Sequence, residues 1–163
     1  MPKPKTQNLK PKSGFTLVEL LITITIVIVI AAIGSMNLLG YTQRQNLNFT
    51  AQEIISVLRN AQNSSISQEG SLRWGVDFEN PASGSDFYDL FKGATYADGA
   101  VVARNTLHSS VQFDIPATGA TSTIIFAPAT GLPNASTTIK ISLIGNPDVS
   151  STIMINSNGE ISF

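Results

Sequence analysis

The sequence has no cysteine, a single histidine and a single tryptophan, and only 13% of its residues are charged. Without cysteine there is no disulfide framework, no thiolate metal site and no cysteine nucleophile. His108 has no second imidazole to work with, and no phosphate loop, dinucleotide fingerprint or nucleophile triad takes its place. The chain therefore does not read as an enzyme, and no catalytic residue, metal or cofactor is expected. Acidic residues are also missing from the start of the chain: Lys3, Lys5, Lys10 and Lys12 all precede Glu19, the first carboxylate. Removing those four lysines takes the formal charge from −1 to −5. A module so balanced lacks the cations that hold phosphates, so nucleic acid is not an expected partner.

What is present is concentrated near the N-terminus. Residues 1–14 are basic and broken by Pro2, Pro4 and Pro11, so they should form no stable element. The positive-inside rule keeps such a segment cytoplasmic. Residues 15–33 are apolar apart from Glu19 and a few threonines, and as a helix they would be about 28 Å long, near the thickness of a bilayer core. The stretch from Thr23 to Ile30 alternates and is β-branched like a strand. A lone strand in lipid leaves its backbone groups unpaired, however, whereas a helix satisfies them internally. Beyond Gly34, the positions Leu47, Ala51, Ile54, Leu58 and Ala61 recur at helical spacing and predict an amphipathic continuation, ending near Gln68 or Glu69 with Gly70 as its C-cap.

From Ser71 the period changes to alternation. Leu72, Trp74, Val76 and Phe78 share one face of an expected half-buried strand, with Trp74 in the core. Further strands are expected at 87–91, 100–104, 110–115, 122–126, 137–144 and 151–156, and Asn158-Gly159 signals a closing hairpin. The expectation is an α+β fold: a long N-terminal helix, half transmembrane and half amphipathic, packed on a C-terminal antiparallel β-sheet. Its parts are a leader at 1–14, a transmembrane and assembly half at 15–37, an amphipathic half at 38–69 and a β-rich domain at 70–163. Asp77, Glu79, Asp86 and Asp89 surround a Gly/Ser loop and offer oxygen ligands for Ca²⁺, but without EF-hand spacing they read as a solvated acidic loop. His108 reads as a surface residue, and Arg59 as either a surface cation or a sheet-edge donor.

The run Lys12-Ser13-Gly14-Phe15-Thr16-Leu17-Val18-Glu19-Leu20-Leu21 resembles the class III signal of type IV pilins and type II secretion pseudopilins. The resemblance implies cleavage between Gly14 and Phe15 by a prepilin peptidase, N-methylation of Phe15, and a filament-assembly role for Glu19. It implies further partners in other pilins, an inner-membrane assembly platform and the lipid bilayer. The location implied is a single pass of the inner membrane with the N-terminus cytoplasmic, then a pilus or pseudopilus. The residues are compatible with this. Gly14 leaves the backbone open to a protease, and a cut there keeps the apolar helix on the product. Glu19, costly at membrane depth, could pair with the new amine of a neighbour and so specify register. Many major pilins carry a proline further along the helix, where this chain has Gly34-Ser35-Met36-Asn37 and Gly34 could permit local loosening.

Three later blocks resemble the GspH/FimT group of minor pseudopilins: 58–62 with 65–67, 126–131, and 153–161. The DNA-binding members of that group carry arginines after the C-terminal glycine, whereas Gly159 here is followed by Glu160, Ile161 and Ser162. Two alternatives remain beside a structural filament subunit. One is a DNA-uptake minor pilin. The other is a secretory protein with an ordinary type I signal peptide, cut after Ala32-Ile33-Gly34.

Overall fold

A computed structural model of the protein describes residues 14–163, apart from the side chains of 33–39. Residues 1–13 of the expected 1–14 leader lie outside what is described, while the backbone is helical through Gly34, where the sequence would permit local loosening. The chain divides into two compact units between Leu39 and Gly40, a boundary that falls within helix α1 (Leu17–Ile66).

In the first unit the large apolar side chains of α1 from Leu17 to Ile30 are all exposed, from Leu17 at 81% to Ile24 at 50%. Thr23 and Thr25 turn their hydroxyls back to donate to the carbonyls of Leu20 and Leu21, at 2.9 and 2.8 Å. Each hydroxyl is thereby satisfied within the helix. Among the described residues no helix is long and apolar enough to cross a membrane.

The second unit holds the rest of α1 and eight strands: β1 (Trp74–Asn80), β2 (Phe87–Lys92), β3 (Ala100–Thr106), β4 (Val111–Ile115), β5 (Ala120–Phe126), β6 (Thr137–Leu143), β7 (Asn146–Ile155) and β8 (Ile161–Ser162). All pairings are antiparallel. They form two four-stranded sheets rather than the single sheet expected, in the orders β3-β2-β1-β5 and β4-β6-β7-β8. The five predicted inward positions of α1 (Leu47, Ala51, Ile54, Leu58 and Ala61) are all buried in one core with residues of both sheets. Across that core the Phe78 ring meets Phe113 edge-on at 5.8 Å and stacks on Tyr88 at 5.9 Å. Buried Asn80 also ties the sheets together, donating to the carbonyls of Phe113 and Pro116 at 3.0 and 2.9 Å.

Two expectations about boundaries and faces are corrected. Helix α1 ends at Ile66, before the expected Gln68 or Glu69, and Gln68 takes a left-handed φ of 53°. The last turn is claimed by the sheet: the Ser65 carbonyl accepts from Ala129 N at 3.1 Å, and the Ser65 hydroxyl accepts from Trp74 N at 2.9 Å. Strand β1 is buried on both faces rather than half-buried. Its second face lies under Phe91 and the 93–99 turn, so close that a Cβ on Gly75 would come within 2.7 Å of the Phe91 ring.

Candidate processing and assembly site

Gly14, Phe15 and Thr16 precede the helix and lie outside it. A Cβ placed on Gly14 would meet nothing within 4 Å, and the Phe15 side chain is 80% exposed, so both sides of the expected cleavage point are open. Thr16 is the N-cap. Its hydroxyl oxygen accepts from Glu19 N at 3.2 Å, and its carbonyl accepts the first helical bond, from Leu20 N, at 3.2 Å. The sequence carries a signal for this cap that the stronger processing motif overshadows: Thr16-Leu17-Val18-Glu19 has the Thr-x-x-Glu spacing of a capping box. Glu19 stands in the first turn, where the helix dipole favours a negative charge. Among the described residues its carboxylate has no ion-pair partner, the two salt bridges being Arg104–Asp89 and Lys140–Asp114.

The three blocks distant in sequence meet at one junction. Gln62 donates through Nε2 to the carbonyls of Gly131 and Gly159, at 3.0 and 2.8 Å, joining α1 to residues 69 and 97 positions away. Ser65 is fully buried beside it and donates to the Phe126 carbonyl at 3.2 Å. Gly131 has φ +65°, and a Cβ there would sit 2.7 Å from the Ile66 side chain. The blocks thus share a mechanical task, holding the end of α1 against the loop at 126–131 and the last hairpin. Trp74 is in the core as expected, with its indole N–H donating to the Glu69 carbonyl at 3.1 Å.

The acidic residues are not the solvated loop that composition suggests. Asp77 and Asp89 face each other across β1 and β2 and are both buried. Asp89 accepts from Arg104 Nε and Nη2 at 2.9 and 2.7 Å and from the Tyr96 hydroxyl at 2.6 Å. Burial alone would raise its pKa, but these donors outweigh it and hold the carboxyl below the usual carboxylate range. The Tyr96 hydroxyl is pushed up to about 12, first by burial and then by its bond to Asp89. Asp77 is shifted the other way: burial raises its pKa, opposed by a bond from the Thr123 hydroxyl and assisted by Glu79 and Asp89. Asp86 is used elsewhere, accepting from Phe113 N at 2.7 Å. Each of these three aspartates is thus committed to a partner within the fold, and among the described residues no group of acids or histidines is arranged to hold a metal ion. His108 is on the surface, 2.9 Å from the Ser110 hydroxyl. Arg59 is exposed and lines an open groove of about 640 Å³ with Gln52 and Phe163.

Residues 9–35 match the family described as the prokaryotic N-terminal methylation motif. The fold is similar to the crystal structure of the type IV minor pilin FimU of Pseudomonas aeruginosa (strain PAO1), with a TM-score of 0.53 and 16% identity over 71% of this chain and 90% of that one. The chain is pilin-like in both motif and fold. Its α+β architecture, a helix packed on antiparallel sheets, is the pilin-like fold expected from the sequence. No curated protein matches the chain.

Proposed function

We propose that the chain is a minor structural subunit of a type IV pilus or type II secretion pseudopilus, of the GspH/FimT kind. In this reading a prepilin peptidase cuts between Gly14 and Phe15, and Phe15 is methylated. The apolar part of α1 then anchors the subunit in the inner membrane with its N-terminus cytoplasmic, until an assembly platform moves it into a filament. The observation that carries the reading is the exposure of every large apolar residue from Phe15 to Ile30, at 50% or more. Exposed apolar surface on this scale demands a cover, and lipid followed by the helices of neighbouring subunits supplies it in turn. Glu19 takes the amine of a neighbour's Phe15 as its partner, a pairing that specifies register because a slipped neighbour leaves both charges bare.

Co-expression with a prepilin peptidase, followed by N-terminal sequencing, tests the reading. Phe15 as the first residue is the expected result. An intact leader would overturn it, and a chain beginning at Ser35 would point to an ordinary signal peptidase.

A further inference from the structure

The placement of Thr16 bears on how the leader is removed, provided that the chain is processed between Gly14 and Phe15 as proposed. In an uncapped α-helix the amide of Glu19 would bond to the carbonyl four residues back, which is that of Phe15. One residue earlier, the amide of Val18 would take the carbonyl of Gly14. That carbonyl belongs to the bond to be cut. In the structure the Thr16 hydroxyl takes the Glu19 amide instead, at 3.2 Å, and the helix begins at Leu17 with Gly14 and Phe15 outside it. Nothing else in the described chain restrains the junction, since Gly14 has open space around it and Phe15 is exposed.

We propose that Thr16 is a positioning residue for leader removal: its cap stops α1 short of the Gly14–Phe15 bond and leaves the Gly14 carbonyl free for the peptidase. Hydrolysis adds water across that amide, the hydroxyl going to the Gly14 carbonyl carbon and the proton to the Phe15 nitrogen. A peptide bond wound into a helix cannot present its carbonyl for that attack. At the apolar edge of a bilayer, where water is a poor substitute partner, the uncapped amides of the first turn are relieved by winding the helix back over Phe15 and Gly14. The cap therefore competes directly with the helix for the reacting group.

The test uses the full chain in detergent micelles with purified prepilin peptidase, and compares initial cleavage rates of the native chain with Thr16→Val, Thr16→Ser and Thr16→Asn. Valine keeps the shape and removes the acceptor; serine and asparagine keep an acceptor, asparagine with a different shape. The expected result is about five-fold slower cleavage for Thr16→Val, the equilibrium worth of one N-cap, with the other two within about two-fold of native. The carbonyl ¹³C shift of Gly14 should move toward its helical value in Thr16→Val alone. Native-rate cleavage of Thr16→Val, or an unmoved Gly14 shift, would overturn the proposal. So would a Thr16→Asn chain as slow as Thr16→Val, because the peptidase would then be reading the threonine's shape. A native chain left uncut sinks the processing reading itself, whereas a native chain cut normally beside an equally fast Thr16→Val sinks only the role of the cap.

Discussion

Along α1 the inward positions Leu47, Ala51, Ile54, Leu58 and Ala61 are at most 3% exposed, while the large apolar residues from Leu17 to Ile30 are at least 50% exposed. Both stretches are helical, and the second is the more hydrophobic, yet among the described residues only the first is buried in a core. The difference lies in pattern. Apolar residues confined to one stripe match the inner faces of two sheets, and the polar residues between them face water. An apolar surface on every side has no such match and is satisfied only by an apolar solvent or by other helices. Within the same chain, then, one stretch builds a self-sufficient core and the other leaves its apolar surface exposed, which the proposed function covers with lipid and neighbouring subunits.

The sharpest way to break that comparison is to truncate one side chain in each stretch. Leu58→Ala should lower the stability of the folded domain by about 3 kcal/mol, since it opens a cavity where nothing is exposed. Val27→Ala should leave it unchanged. Urea unfolding of the full chain in detergent, followed by the fluorescence of the buried Trp74, reads both. Equal effects would mean that the apolar stretch contributes to the domain after all.

A second test probes what makes the domain self-sufficient beyond its core. Asp89→Asn removes the charge that Arg104 and Tyr96 hold in place, and should cost about 2 kcal/mol. Gly131→Ala should cost about 1–2 kcal/mol, because it adds a Cβ against Ile66 at a left-handed φ and loosens the Gln62 junction. Asp77→Asn should have the smallest effect and the opposite sign, raising stability at neutral pH by less than about 1 kcal/mol while keeping an acceptor for Thr123.

The two aspartates also predict opposite pH dependences. Asp89, lowered in the fold, stabilises above the ordinary carboxylate value of about 3.9, and that stability is lost as pH falls through its lower folded value. Asp77, raised in the fold, binds its proton more tightly when folded, so its contribution grows as pH falls through its raised value. Thermal melts between about pH 3 and 7 should show the first slope vanish in Asp89→Asn and the second in Asp77→Asn.

Much of this arrangement was legible in the residues. The helical spacing of Leu47 to Ala61 and the alternation from Leu72 to Phe78 announced the helix and the first strand, because each pattern records a buried face. The split into two sheets was not legible, since alternation says that a strand has a covered face but not which sheet covers it. Asp77 and Asp89 were misread for a related reason: carboxylates on the outward side of an alternating strand look solvated until later segments bring Tyr96 and the β3 residue Arg104 onto Asp89, and the β5 residue Thr123 onto Asp77. The Gln62 junction joins residues too far apart for any local pattern to reveal. The Thr16 cap, by contrast, was written in four consecutive residues.

The proposed function depends most on the claim that the N-terminal stretch is made for neighbours and that Glu19, which has no ion-pair partner among the described residues, pairs with one of them. The direct measurement is the fraction of Glu19→Ala subunits recovered in sheared filaments from cells that also carry the native assembly machinery. The expected result is a normally cleaved leader, a domain of native stability and a loss of incorporation of about ten-fold or more, as when a buried charge is left without its partner. Incorporation at the native level would contradict it.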